Sequence, residues 1–157
     1  MANSKYGNRK TMVDGITFDS QAEAKYYEQL KWLKYGKQIK DFKLQPRFLL
    51  QESYKKNGKT VRKIEYIADF QIHNLDGSVE IVDVKGHETT EFLLKKKLFE
   101  YRYEHSLKVV TLDDTYGWIE LEKLKKLKKK VKPRAKKPVK KVGYPNQKRK
   151  RVTSGRL

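Results

Sequence analysis

Apolar side chains recur at helical spacing in three stretches of the chain. In the first stretch, Ser20 and Glu23 stand at the spacing of a capping box, and apolar residues follow at every third or fourth position up to Tyr35. Gly36 directly after them predicts the end of this helix. A second stretch lies near the middle of the chain, and Pro133 ends the third. The pattern predicts three helices, over Ser20–Tyr35, Thr89–Tyr103 and Trp118–Val131.

Strand-like runs occupy most of the chain between these helices. Asp14-Gly15 predicts the tight turn of a short hairpin around Met12–Val13 and Ile16–Phe18, and Asn57-Gly58 predicts the turn of a longer one. The predicted longer strands are Gln45–Tyr54, Thr60–His73, Val79–Lys85 and Leu107–Leu112. The resulting order is helix, three-stranded meander, helix, strand and helix, which indicates an α/β fold with one sheet covered by helices.

Charge divides the chain into a nearly neutral body and a cationic tail. The 157 residues carry 38 Lys and Arg against 19 Asp and Glu, and 17 of the 38 fall within residues 123–157, where there is no acid. We therefore predict a basic N-terminal arm over 1–13, a globular domain over 14–132 and a disordered tail over 133–157. The tail residues expected to contact nucleic acid are Lys136, Lys137, Lys148, Arg149, Lys150 and Arg151.

Composition excludes several classes of protein. The absence of cysteine excludes disulfide scaffolds, thiolate zinc sites and cysteine nucleophiles. No apolar run approaches the roughly 20 residues that span a bilayer, and the N-terminus has no apolar signal region. We expect a cytoplasmic protein with a polyanionic partner and no membrane partner, because membrane-binding segments pair their charge with an apolar face.

The turn at residues 74–77 fixes a register that brings two carboxylates together. Residues 74–77 have the sequence of a type I turn with a glycine at the bulge position. In such a loop Asn74 pairs with Ser78, and the same register places Asp69 directly opposite Asp83. Lys85 then projects from the same face. Opposed like charges are destabilising, and a bound Mg²⁺ or Mn²⁺ would explain them. The alternative is a structural ion pair in which Lys85 neutralises both acids.

The same residues resemble the PD-(D/E)xK nuclease superfamily. Asp69, followed after thirteen residues by Asp83-Val84-Lys85 and preceded by a helix that bears Glu23, matches the superfamily motif. The segments 5–8, 15–20 and 83–86 resemble a family of small phage and prophage proteins within it. The resemblance spans about residues 5–112 and includes the order helix, three strands, helix, strand. Ala68 replaces the proline of the motif, which is not a ligand.

The resemblance implies a role for each matching residue. Asp69 and Asp83 would be metal ligands together with the carbonyl of Val84, and Lys85 would position the attacking water and stabilise the charge on the phosphate. Glu23 matches an acidic residue that holds the metal through water, although the capping box explains this Glu equally well. Two lysines of the second predicted helix resemble residues that reach substrate phosphate, or else form a solvated face: Lys95 and Lys97.

The expected function is therefore that of a metal-dependent endodeoxyribonuclease. The resemblance implies a structure-specific or Holliday-junction-resolving enzyme of phage recombination, acting on branched or duplex DNA in a bacterial host cell. Two alternatives stay open: a non-catalytic nucleic-acid-binding protein, and a nuclease subunit of a transposition or packaging machine. The sequence does not distinguish DNA from RNA as the substrate, or a homodimer from a monomer as the oligomeric state.

Overall fold

A computed structural model describes residues 9–131 of the chain. The predicted tail, with its six nucleic-acid-binding residues, and the first eight residues of the predicted arm lie outside the described residues. The elements are β1 (Thr11–Val13), β2 (Ile16–Phe18), α1 (Gln21–Tyr35), β3 (Ile39–Leu44), β4 (Arg47–Gln51), β5 (Tyr54–Lys56), β6 (Lys59–Val61), β7 (Ile64–Ile67), β8 (Phe70–Asn74), β9 (Val79–Val84), α2 (Thr90–Arg102), β10 (Leu107–Asp113), β11 (Gly117–Glu120) and α3 (Leu121–Val131).

A five-stranded mixed sheet forms the centre of the protein. Its strand order is β11-β10-β9-β8-β3, so β9 is the middle strand. The pair β9–β10 is parallel, with α2 as the crossover, and the other three pairs are antiparallel. The remaining strands form two-stranded ribbons, β1–β2, β4–β7 and β5–β6. The protein is therefore an α/β fold with a mixed sheet and three helices.

The sheet contributes residues to two apolar clusters. One cluster contains residues of α1, and the other contains residues of α2. Leu30 of α1 belongs to a cluster with Val82 and Val84 of β9, whereas Phe99 of α2 belongs to a second cluster with Ile81. This alternation follows from the two-residue period of a strand. It puts residue 83 on the Ile81 side of the sheet, so β9 carries apolar residues towards both clusters and one buried acid, Asp83, among them.

Most local predictions are confirmed. Ser20 caps α1 by accepting a hydrogen bond from the Glu23 amide, and Thr89 caps α2 by accepting one from the Phe92 amide. The turn at Asn57-Gly58 has positive φ at both positions, as a primed hairpin turn requires. The pairs Phe70↔Val82 and His73↔Val79 confirm the register derived from the turn at residues 74–77. None of the helices within residues 9–131 is long and apolar enough to cross a membrane.

Several predicted boundaries are wrong. The predicted strand Gln45–Tyr54 is divided between β4 and β5, and the predicted strand Thr60–His73 is divided among β6, β7 and β8. Strand β3, which pairs with β8 at the edge of the sheet, was not predicted. Trp118 lies in β11 rather than in the last helix, because Gly117, with φ +66°, turns the chain back along β10. The short hairpin predicted around Asp14-Gly15 is confirmed, because β1 pairs with β2, although Thr11–Val13 falls within the bounds predicted for the arm.

Candidate active site

The candidate site is built on the point where β8 begins beside the end of β9. Here the two strands exchange hydrogen bonds through side chains: the Asp69 amide donates to Asp83 Oδ1 at 3.1 Å, and the Val84 amide donates to Asp69 Oδ2 at 2.8 Å. Continuation of the Phe70↔Val82 register places the two acids opposite each other. Asp83 is 1% exposed. The local strand pairing therefore fixes both carboxylates.

Lys85 joins this pair from the next position on the same face. Its Nζ lies 2.8 Å from Asp83 Oδ2 and 5.0 Å from the centre of the Phe92 ring, and its amide donates to the Val110 carbonyl at 2.9 Å. Burial of the amino group lowers its pKa, but the carboxylates of Asp83, Asp69 and Glu23 outweigh that effect, and the net pKa lies above its ordinary value. Lys85 is thus held as a cation at this site.

The pKa of the Asp69 carboxyl is shifted far from its ordinary value by its position in the site. Burial raises its pKa first, and the adjacent Asp83 charge raises it further, while the hydrogen bond from the Val84 amide lowers it. The resulting pKa is about 7. A carboxyl whose pKa is raised by burial and by a neighbouring acid is typical of sites that bind a cation or move a proton.

Glu23 stands where α1 meets this pair. Its Oε1 accepts from the Ser20 hydroxyl at 2.9 Å, and its Oε2 accepts from the Asp19 amide at 3.2 Å, so the predicted cap is real. Burial raises its pKa, and the Lys85 charge opposes that change. Glu23 lines a small cavity of about 90 Å³ together with Asp69 and also lines a larger cleft together with Lys85. The residue is therefore both a helix cap and a member of the site.

The larger cleft gives the site an opening to solvent. Its volume is about 490 Å³, and it lies between the first turns of α1 and α2. Its lining residues are Ser20, Ala22, Glu23, Val84, Lys85, Gly86, His87, Thr89 and Phe92. Helix N-termini favour anions, so this opening suits a phosphate group. A separate cleft of about 540 Å³ on the outer face of α1, around Trp32 and Tyr35, holds none of these residues.

Tyr66 is a member of this neighbourhood that the sequence did not single out. Its hydroxyl is buried and has no hydrogen-bond partner within residues 9–131. Burial and the nearby charges of Asp83 and Asp69 raise its pKa above its ordinary value. Its ring packs against Phe92 and Phe99. A tyrosine within an apolar strand is most simply interpreted as core, and only the positions of Asp69 and Asp83 show that its hydroxyl faces charge.

The donor chemistry of the site fits a hard divalent cation. Asp83 Oδ1, Asp83 Oδ2 and Asp69 Oδ2 each have a protein donor, whereas Asp69 Oδ1 accepts no hydrogen bond from the described residues. Mg²⁺ and Mn²⁺ take carboxylate oxygens and keep several waters, so two acids and a carbonyl are enough. Within residues 9–131, no group of three or more His, Cys, Asp or Glu stands close enough to hold a metal.

The two predicted phosphate-binding lysines of α2 lie outside this arrangement. Lys95 forms an ion pair with Glu91 at 2.7 Å, and Lys97 is exposed on the helix surface without an ion pair to any described residue. Neither residue lines the cleft. The structure thus brings together Glu23, Asp69, Asp83, Val84 and Lys85 but leaves the two lysines on a helix face.

Comparison with known proteins identifies the family of the chain. No curated protein and no solved structure matches it. A family model described as "Protein of unknown function (DUF1064)" matches residues 3–117, a range that contains the paired acids, Lys85 and Glu23. The chain therefore belongs to the DUF1064 family of proteins of unknown function.

Proposed function

We propose that this protein is a metal-dependent endodeoxyribonuclease with a PD-(D/E)xK core. One observation carries the proposal: half-buried Asp69 lies beside buried Asp83, and Lys85 contacts Asp83 at the edge of a cleft open to solvent. An uncompensated pair of acids destabilises a fold, and a binding module that attracts phosphate does not need one. A nuclease needs both acids and lysine in one place.

The order of elements supports the comparison with the PD-(D/E)xK core. Helix α1 is followed by the antiparallel strands β3, β8 and β9, then by α2 and the parallel strand β10. The two acids and the lysine fall where the second and third of these antiparallel strands meet. The strand arrangement thus agrees with the sequence motif, although β3 rather than the predicted strand Gln45–Tyr54 supplies the first of the three antiparallel strands.

The chemistry follows from the character of each side chain. Asp69, Asp83 and the Val84 carbonyl would hold Mg²⁺ or Mn²⁺, which supplies a water of lowered pKa and neutralises phosphoryl oxygens when bound. Lys85 keeps its positive charge beside the carboxylates and stabilises charge that develops on the phosphate. Glu23 orients water at the mouth of the small cavity that it shares with Asp69.

The substrate of the proposed enzyme is DNA, branched or duplex. The excess of basic residues in the sequence supports a polyanion, and a junction-resolving role in phage recombination remains the specific form that we propose. A homodimer would provide the two active sites that symmetric cleavage of a junction needs. The proposed setting is the cytoplasm of a bacterial host cell.

A cleavage assay tests the proposal directly. Linear, flapped and four-way DNA substrates are incubated with the protein in Mg²⁺ or in chelator, and we expect cleavage that depends on the ion. Asp83→Asn and Lys85→Ala should each abolish cleavage while the protein still folds and binds DNA. Asp114→Asn and Lys40→Ala, at exposed positions away from the cleft, are the matched controls and should cut normally. Cleavage by either site variant at the wild-type rate would refute the assignment.

A non-catalytic nucleic-acid-binding protein is the second candidate. The observation in its favour is that Lys85 already pairs with Asp83 and that backbone amides already bond to both acids. In that case the cluster is structural, no substrate is cut in any ion, and Lys85→Ala unfolds the protein because it leaves a buried charge without a partner. The folding of the Lys85 variant therefore separates the two candidates.

A further inference from the structure

The ribbon β5–β6 is separate from the five-stranded sheet. Tyr54–Lys56 and Lys59–Val61 pair with each other and with no other strand, and Asn57-Gly58 forms the turn between them. Every residue from Glu52 to Thr60 is exposed, and Val61 is half-buried. The ribbon therefore contributes almost nothing to the core, and its side chains are free to serve another purpose.

The charge on this ribbon is of one sign. Between Ser53 and Lys63 the sequence holds Lys55, Lys56, Lys59, Arg62 and Lys63 and no acid. Lys63 pairs with Glu65 at 2.9 Å, but the other four form no ion pair within residues 9–131. A solvated surface usually mixes both signs, so a protruding segment with four unpaired cations indicates a polyanionic partner.

Two of these cations stand in an unfavourable position. Lys56 pairs directly with Lys59 across the ribbon, next to the turn. Like charges at directly opposed positions repel each other and destabilise a hairpin. The primed turn at Asn57-Gly58 already specifies the hairpin, so the lysines are not needed for folding. Phosphate groups that bind between or beside the two ammonium groups remove the repulsion.

Duplex DNA suits this ribbon better than a membrane does. The only apolar side chains on it, Tyr54 and Val61, pair at the base of the ribbon, whereas its tip is Asn57-Gly58. A membrane-binding hairpin would carry apolar side chains at its tip. A two-stranded ribbon fits the major groove of B-DNA, which is about 12 Å wide, and lysines on its rim reach phosphates.

We propose that the β5–β6 ribbon is a duplex DNA contact in which Lys56 and Lys59 bind backbone phosphates. The choice of DNA rests on the proposed nuclease function, but the ribbon is a separate site with its own test. The ten residue-to-residue steps from Lys59 to Asp69 span at most about 33 Å of extended chain, close to one helical turn of B-DNA. The ribbon thus reaches no further than about one turn from the cleavage site.

Binding of the full chain to a duplex of about three helical turns, in chelator and over a salt series, tests the proposal. Each phosphate contact steepens the dependence of log affinity on log salt by about 0.9, which corresponds to about eightfold in affinity at about 0.1 M salt. Lys56→Gln/Lys59→Gln should therefore lower affinity by at least about tenfold, by up to about sixtyfold, and reduce the slope by more than about 1. The control Lys25→Gln/Lys40→Gln removes the same charge from exposed positions on α1 and β3 and should lose less than about twofold.

A second measurement reports on the ribbon lysines directly, so DNA binding by the tail does not obscure it. Acetylation of individual lysines, followed by mass spectrometry, should show Lys56 and Lys59 protected by duplex DNA while Lys25 and Lys40 stay reactive. Equal affinity of both double variants, or unprotected ribbon lysines in the complex, overturns the proposal. Both measurements are made without a divalent ion, so they do not depend on cleavage. A failure to observe cleavage would count against the proposed nuclease function and not against the DNA contact of the ribbon. Protection by an acidic polypeptide but not by DNA would also overturn it.

Discussion

The raised pKa of Asp69 allows a quantitative prediction for the stability of the variant Asp69→Asn. The pKa of Asp69 is about 7 in the folded protein against 3.8 for the free side chain. Between these values the folded state binds more protons than the unfolded state, so the free energy of unfolding falls as pH rises. At about 1.36 kcal/mol per pKa unit the full difference is about 4 kcal/mol. Solvent that reaches the partly exposed carboxyl reduces the effect, so we expect about 2–4 kcal/mol.

Asparagine resembles the protonated carboxyl and cannot ionise. The variant should therefore match the wild type at about pH 4, gain stability relative to it as pH rises, and reach its full advantage above about pH 7. Its side-chain oxygen still accepts the hydrogen bond from the Val84 amide, so the local structure is kept. Urea unfolding of both proteins in chelator at several pH values between 4 and 8 measures this difference.

The control for this experiment removes a carboxyl elsewhere. Asp114→Asn changes an exposed acid in the turn between β10 and β11 and should alter stability by less than about 0.5 kcal/mol at all pH values. If Asp69→Asn is no more stable than the wild type at pH 8, the reasoning about burial and charge at this site is wrong. A difference in stability that is the same at all pH values would also contradict this reasoning, because such a difference would not come from ionisation of Asp69.

Four further perturbations test separate features. Mg²⁺ or Mn²⁺ should raise the melting temperature of the wild type by mass action, and Asp69→Asn/Asp83→Asn should lose that response; an unchanged response would place the ion elsewhere. Tyr66→Phe removes a buried hydroxyl without a partner, so urea unfolding should show stability unchanged or raised by up to about 1 kcal/mol, and a clear loss would mean that the hydroxyl bonds to Asp83 in solution. Glu23→Gln should lower the single-turnover cleavage rate at least about tenfold and leave stability nearly unchanged, because glutamine also closes a capping box, whereas normal cleavage would leave Glu23 a cap alone. Truncation after Lys132 should leave low-salt cleavage of a short substrate intact and make the salt dependence of binding shallower, because it removes ten basic residues; equal slopes would mean that the tail does not touch DNA.

The parts of the site that could be predicted from sequence depend on short-range chemistry. The turn at residues 74–77 sets the register of β8 and β9 within a few residues, and that register alone brings Asp69 opposite Asp83. The capping box at Ser20 and Glu23 is equally local. Features of this kind are determined by neighbours in the chain, so the sequence contains them fully.

The parts that were missed depend on distant contacts. Half of the residues of β3 are charged, and the strand carries a bulge near Asp41, so its alternation is weak, and its pairing with β8 decides its structure. The break before β4 comes from Gln45, whose φ of +47° no residue pattern indicates. The role of Tyr66 appears only when the carboxylates are placed beside it. Tertiary context, rather than propensity, settles each of these positions.

The central position of β9 has a consequence for hydrogen exchange. Its amides lie between two neighbouring strands, so they exchange only when the whole sheet opens and should report the global free energy of unfolding. The amides of β5 and β6 belong to an exposed ribbon of three pairs and should exchange by local fraying within a much shorter time. Asp83 therefore sits in the slowest-opening unit of the protein, and the ribbon in one of the fastest. Deformation of the ribbon against a bound surface can occur without any opening of the strand that holds Asp83.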